Sequence, residues 1–410
     1  MSGAETLAAG DVGYFKGGSV FPVRFQGGKS GELPFFKVSD MNTPGNELYL
    51  RTANHYISEA RRKAMGAVRM PAGAIVFAKV GAAVFLERKR ILAQDSCIDN
   101  NMAAFVVDPA KANVRFIHYL LTNTRLSALV ATTALPSLNG TQLRSVPLRL
   151  PRSVSEQRGI VDALAAADDR IALTEGLIAK KQAVKQGMMR ELLTGRTRLP
   201  GYTSSWREAL VADLLDFKNG LNKASEYFGS GTPIVNFMDV MQQPVITAGV
   251  VNGLVTLTRD EIKRFSARRG DMFFTRTSET VDEVGTAAVL VDDIPDATFS
   301  GFVLRGRPKS SLINSTFLAQ QFQLVQVRKQ VTATASYTTR ALTNGRALGR
   351  VTVMLPDPRE QAAIVDVITD ADIELAALER RLEAARAIKQ GMMQELLTGR
   401  TRLVQAEPSA

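Results

Sequence analysis

KQGMMRELLTGRTRL, residues Lys185 to Leu199, returns as KQGMMQELLTGRTRL at Lys389 to Leu403, with only Arg190 and Gln394 differing across an offset of 204. A near-identical stretch of this length is an internal duplication, and a duplicated unit sets the architecture of the chain. Followed upstream at the same offset, Glu156-Gln157 meets Glu360-Gln361, Ile160-Val161-Asp162 meets Ile364-Val365-Asp366, and Ile171 meets Leu375. The repeated segment is therefore about 45 residues long.

Each copy reads as one helix. Ser153 to Glu156 has capping-box spacing, and Asp357-Pro358-Arg359-Glu360 offers an N-cap acid, proline at the first helical position and glutamate at the third. At the far ends, Gly195 and Gly399 stand where a helix takes a left-handed residue. Ile364, Ile368, Ala371, Leu375, Leu378, Leu382 and Ala385 alternate spacings of four and three, the seam of a coiled coil, and Ile160, Leu164, Ala167, Ile171, Thr174 and Ile178 repeat it. At 1.5 Å per residue such a helix is about 60 Å long. Two helices this apolar on one face most simply bury that face on each other. Gly187 and Gly391, mid-helix, each cost roughly 1 kcal/mol relative to alanine, which points to a close helix crossing or a partner contact.

The rest of the chain is duplicated more loosely. Phe15-Lys16-Gly17-Gly18 answers to Phe217-Lys218-Asn219-Gly220, Gly73 to Phe77 answers to Gly270 to Phe274, Asn113 and Phe116 answer to Asn314 and Phe317, and Asn139-Gly140 answers to Asn344-Gly345. Short apolar runs bounded by glycine, proline or aspartate predict strands at Pro34 to Val38, Ala74 to Phe77, Ala103 to Val107, Pro233 to Phe237, Met272 to Phe274 and Ala287 to Val291. Helical patterns cover Asn113 to Leu121 and Asn314 to Phe322. The expected plan is an α+β protein: a mixed domain over 1–152, a helix over 153–199, a second mixed domain over 200–356, a second helix over 357–403, and a tail over 404–410.

A net charge of +11, from 51 Lys+Arg against 40 Asp+Glu, points to a polyanionic partner, nucleic acid before membrane. The single cysteine, Cys97, excludes an intramolecular disulfide and suits a reducing compartment. No secretory pattern opens the sequence and no run approaches 18 apolar residues, so the expected location is cytoplasmic. Catalytic motifs are missing where they would be looked for. Gly27-Gly28-Lys29-Ser30 lacks the earlier glycine of a phosphate loop, since Val23 stands there. Phe228-Gly229-Ser230-Gly231 precedes a strand rather than following one into a helix, and neither Asn-Pro-Pro-Tyr nor Asp-Pro-Pro-Tyr occurs. With His55, His118 and one cysteine, a His/Cys metal site or Cys-His nucleophile is hard to assemble, and His118 reads as structural.

What remains is a set of basic and polar loop residues suited to tracking phosphates or reading base edges. The candidates are Arg61, Arg62, Lys79, Arg88, Lys89 and Arg90 in the first domain, and Arg268, Arg269, Thr275, Arg276, Thr277, Ser278 and Arg340 in the second. Two stretches, Phe77-Ala78-Lys79-Val80-Gly81 and Phe274-Thr275-Arg276-Thr277-Ser278-Glu279, rise above the others because they sit just after equivalent strands, where a loop is held rigidly enough to aim a side chain.

Two variable domains, each followed by a helix that opens with Glu-Gln and closes with Glu-Leu-Leu-Thr-Gly, resemble the specificity subunit of type I restriction–modification enzymes over essentially the full length. The resemblance implies two target recognition domains related by a pseudo-twofold duplication and joined by two long antiparallel coiled-coil helices. It implies a non-catalytic subunit that reads a bipartite double-stranded DNA target, one half per domain. It further implies that two methylation subunits, which carry the S-adenosylmethionine, dock on the helices, with no cofactor bound by this chain; whether restriction subunits join them is left open. Met188, Met189, Leu192, Leu193, Met392, Met393, Leu396 and Leu397 are the expected docking residues on the helices. Three other readings stand beside this one: a specificity subunit of a methylation-only or type II-like system, a single-chain enzyme with its own nuclease or methyltransferase activity, and a scaffold for protein partners alone.

Overall fold

A computed structural model describes residues 4–130, 136–337 and 340–403, which leaves the expected tail, 404–410, outside the described residues. The chain divides into two compact units, 1–175 with 380–410, and 176–379. The division falls within both long helices, the central helix Val154–Leu193 and the terminal helix Pro358–Leu396. Each unit thus combines one mixed domain with part of both helices.

In the first unit, strands Gly13–Gly17, Met102–Val107, Ile75–Ala78, Lys89–Leu92 and Tyr49–Leu50 form a five-stranded sheet in that order. The register sets Phe15 beside Phe105, Phe77 beside Ala103 and Ile75 beside Ile91. Because side chains alternate across a strand, Ile75 and Phe77 join one apolar cluster with Phe105, Phe116 and Ile117. Val76 joins another, with Phe36, Leu92 and Ala104. Burial of both faces explains why these strands read as unbroken apolar runs.

The first cover helix, Val114–Asn123, starts at Asn113, whose side chain accepts the Phe116 N–H. The Asn113 N–H in turn donates to Gln157 Oε1 at 2.8 Å, and Gln157 Nε2 donates to Pro151 O at 2.9 Å, so the second residue of the Glu-Gln pair ties the head of the central helix to the domain. The capping box expected at Ser153 closes only from one side. Ser153 Oγ accepts the Glu156 N–H at 3.4 Å, while the Glu156 carboxylate takes both Arg402 guanidinium bonds instead, at 2.8 and 2.9 Å. A charge-assisted bidentate pair outcompetes a single neutral bond to the backbone. Leu396 and Leu397 complete the same cluster as Ile160, Val161 and Leu164. Lys389 pairs with Asp168 at 2.5 Å and Arg386 with Glu175 at 2.5 Å, a falling number against a rising one, so the two helical segments of this unit run antiparallel.

The second unit repeats this architecture. Strands Leu215–Asn219, Val303–Pro308, Met272–Thr275, Ala287–Leu290 and Val245–Ile246 take the same order, with Met272, Phe274, Leu304 and Phe317 on one face and Phe273, Ala288 and Leu290 on the other. The second cover helix, Ser315–Gln321, is capped by Asn314, whose N–H donates to Gln361 Oε1 at 2.9 Å. Gln361 Nε2 donates to Pro356 O at 3.0 Å. Glu360, fully buried, takes Arg198 at 2.6 Å and the Trp206 Nε1–H at 3.2 Å. Lys181 pairs with Glu374 at 2.7 Å, and Lys185 with Asp372, again antiparallel.

The predicted strand at Pro233 to Phe237 is instead Phe228–Val235. Beyond it Asp239 reaches back to the Asn236 N–H at 2.7 Å and starts the short helix Phe237–Met241. Both long helices end at a left-handed glycine, Gly195 with φ +69° and Gly399 with φ +67°, followed by Arg196 N–H to Glu191 O at 3.1 Å and Arg400 N–H to Glu395 O at 3.0 Å. At Gly187 and Gly391 an added Cβ would meet nothing within 4 Å among the described residues, so no close helix crossing there accounts for them.

Candidate nucleic-acid interface

The strand Ile75–Ala78, the middle strand of its sheet, delivers Lys79 at its C-terminal end, and backbone bonds fix it there. The Lys79 N–H donates to Asn101 O at 2.8 Å, Lys79 O accepts the Leu138 N–H at 2.8 Å, and the Gly81 N–H donates to Pro136 O at 2.8 Å. In the second unit the Arg276 N–H donates to Phe302 O at 3.0 Å and Arg276 O accepts the Thr343 N–H at 2.9 Å. Thr277–Ser278 then pairs with Ala341–Leu342. Two different cations therefore occupy one structural position, each half-buried at the end of a central strand. Among the described residues the Arg276 side chain makes no hydrogen bond or ion pair, leaving its five N–H donors free for a ligand.

A second pair of turns lies beside them. A Cβ on Gly18 would sit 1.9 Å from Asp99 O, and one on Gly220 2.0 Å from Ser300 O. Only glycine permits these backbone crossings. They lock the turns that carry Asn101 and Phe302, both exposed. The sequence reading missed these two residues; their one signal was alignment of the two copies, which sets each one place before the strands Met102–Val107 and Val303–Pro308.

The other candidates scatter. Lys89 is only 2 % exposed, held by the Glu87 carboxylate and by Thr124 O at 3.1 Å, with burial lowering its pKa, so it belongs to the core and not to a DNA face. Strand alternation turns Lys89 and Ile91 inward together, which the tripeptide Arg88-Lys89-Arg90 conceals. Arg90 donates to Lys89 O at 3.0 Å, and burial lowers its pKa as well; Arg88 is half-buried. Thr275 is fully buried and donates to Glu283 O at 2.7 Å, and Ser278, 5 % exposed, donates to the Glu283 carboxylate. These two hold the loop's shape and present nothing to a ligand. Thr277 is half-buried in its ladder.

Arg62 is taken up by Glu59, at 2.8 and 2.9 Å, and by Ala67 O at 2.7 Å, whereas Arg61 is exposed over the Phe25 ring. Arg340 is exposed and paired with Glu279 at 2.9 Å, near the Arg276 loop. Arg268 and Arg269 are exposed before the strand Met272–Thr275, at the opposite end from Arg276. Among the expected docking residues, Leu192 and Leu193 are core of the second unit and Leu396 and Leu397 core of the first. Met188, Met189, Met392 and Met393 are half-buried against those same clusters. Periodicity marks an apolar face without saying which surface covers it, and here the covering surface is the chain's own domains.

Residues 1–181 match the sequence model of the family described as "Type I restriction modification DNA specificity domain". The whole chain is similar in structure to the S subunit of a type I restriction–modification system from M. genitalium (TM-score 0.56, 13 % identity, 96 % of each chain covered). It is similar to the HsdS subunit from Thermoanaerobacter tengcongensis (TM-score 0.51, 16 % identity, 97 % of each chain). It also matches a chain solved in work on complex assembly and conformational transition of the type I R-M system (TM-score 0.60, 16 % identity, 97 % of this chain and 98 % of that one). Residues 1–181 thus match the type I restriction–modification DNA specificity model, and over 96–97 % of its length the chain shares the fold of these solved structures.

Proposed function

We propose that this chain is the non-catalytic DNA-recognition subunit of a type I restriction–modification complex, that each unit reads one half of a bipartite double-stranded target, and that two methylation subunits assemble on it. The observation that carries the reading is the doubled loop: one five-stranded sheet, built twice, ends each time in a backbone-pinned cation, Lys79 in one unit and Arg276 in the other. A cation fixed at a strand end can bond guanine O6 and N7 or a phosphate. The net charge of +11 supplies the sequence-independent attraction to the duplex. S-adenosylmethionine and methyl transfer belong, on this reading, to the partners.

The test is a salt titration of duplex binding by the purified chain, with methyl transfer assayed in parallel. Log K should fall against log salt with a slope of about −0.9 for each phosphate neutralised. No methyl group should be transferred until methylation subunits are added. A flat salt response overturns the DNA reading, and transfer by the chain alone overturns the non-catalytic one.

A further inference from the structure

In the first unit Ala78 pairs with Met102, and in the second Thr275 pairs with Val303. Asn101 and Phe302 each stand one step beyond that last pair, opposite Lys79 and Arg276. Residues opposed across an antiparallel pair have Cβ atoms about 5 Å apart, so each cation has one close neighbour. That neighbour differs in kind between the units.

Phe302 is 63 % exposed although its chain is pinned on both sides: the Gly301 N–H donates to Leu221 O at 2.7 Å, Phe302 O accepts Arg276, and the Val303 N–H donates to Ser300 O at 3.1 Å. Val303 is fully buried, and alternation along the strand turns Phe302 the other way. The ring cannot fold back into the core. Asn101 is likewise exposed, with its N–H donating to Asp99 Oδ1 at 2.8 Å and its carboxamide also interacting with the Asp99 carboxylate, so the side chain is held at the turn.

Resting on the DNA-recognition reading above, we propose that Asn101 and Phe302 are specificity-determining residues, each completing a two-residue reading head with its neighbouring cation. The chemistry of each side chain selects its base. A carboxamide matches the N7 acceptor and N6 donor of adenine, a phenyl ring offers only apolar contact and suits the thymine methyl, and the adjacent Lys or Arg takes guanine. Successive bases are about 3.4 Å apart along a strand, so the two members of a head address neighbouring base pairs. The two half-sites then differ at one step: guanine beside adenine for the first unit, guanine beside thymine for the second.

Selection by the full chain from two randomised duplex libraries, one containing thymidine and one deoxyuridine in its place, tests this. Deoxyuridine keeps the base-pairing edge and lacks only the methyl. Wild type should select a bipartite motif from the first library and, from the second, lose roughly tenfold preference at one position of one half-site. Phe302→Ala should lose that same position from both libraries while the other half-site persists, which also reports that the variant is folded; Phe302→Leu should retain part of it. Asn101→Ala should lose an adenine in the other half-site alone. A Phe302→Ala motif identical to wild type overturns the inference and leaves the DNA-recognition reading intact. So does a position lost in Phe302→Ala that deoxyuridine does not affect in wild type, since the ring is then not reading the methyl. If wild type selects no motif at all, the underlying reading fails instead.

Discussion

Where each cover helix approaches the long helices, the two units fill the same place with different chemistry. In the first, Tyr119 Oη donates to Asp168 at 2.7 Å, Arg115 donates to the Tyr119 oxygen at 3.0 Å, Lys389 pairs with Asp168, and buried His118 donates from Nε2 to Lys89 O at 3.1 Å. In the second, Thr316, Ala319, Gln320 and Ala287 occupy the positions of Arg115, His118, Tyr119 and Lys89. The Lys–Asp pair survives as Lys185 with Asp372, but the tyrosine that would join it is gone. A groove of about 1630 Å³ opens there, lined by Thr316, Gln320, Met189, Val365, Ile368 and Leu375 among others. What both units keep are the ties: the Asn caps, the Gln bridges and the Glu–Arg pairs. The difference teaches that a few hydrogen-bonded ties and leucines fix the shared architecture, while the space beside them is free to be filled or left open.

The leucines should show the largest effect, and an equal one. Leu193→Ala and Leu397→Ala each empty a fully buried site at equivalent positions, so each should cost about 2–5 kcal/mol in chemical denaturation. If denaturation midpoints stay unchanged and only assembly with partners is lost, these leucines are docking residues after all.

Acid should then separate the units. Burial lowers the His118 imidazole from the ordinary 6.5 to about 4. In the unfolded chain it gains its proton as pH falls through about 6.5, whereas in the folded chain it resists until about 4, so the stability is complete above the higher value and lost as pH falls towards the lower. At about 1.4 kcal/mol per pKa unit this amounts to roughly 3 kcal/mol. Amide exchange of 114–123 should rise with acidification between those values beyond its intrinsic change, while 315–321, which carries Ala319, should lack this component. A His118→Ala chain with the same acid response would remove the histidine from the explanation.

On the proposed DNA-recognition reading, Arg276→Ala should cost about 1–3 kcal/mol of discrimination in one half-site only, and Lys79→Ala should act on the other. A uniform loss across all sequences would make Arg276 a phosphate contact. The smallest effect belongs to Tyr119→Phe, which removes the hydroxyl's bonds to Asp168 and from Arg115 and should lower stability by about 1–2 kcal/mol. No change in thermal or chemical unfolding would mean that Asp168 is satisfied by Lys389 alone.

Much of this protein was legible before any coordinates. The duplication, the helix starts and glycine stops, the seam and most strands followed from local rules: a capping side chain, a left-handed residue and a period of 3.5 or 2 each act within a few residues of chain. The stretches Phe77 to Gly81 and Phe274 to Glu279, which hold Lys79 and Arg276, could be singled out because each directly follows a strand. Local pattern could not say what covers an exposed-looking side chain. Lys89 became core through Glu87 and Thr124, Glu156 left its cap for Arg402 across 246 positions of sequence, and Leu396 joined the cluster of Ile160. Nor could it set Asn101 beside Lys79 or Phe302 beside Arg276, because those neighbours meet only through strand pairing. Secondary structure and repeat were written in short-range chemistry. Burial, partner choice and the make-up of each strand-end loop were decided by tertiary structure, because only folding determines which distant groups compete for the same donor or the same apolar surface.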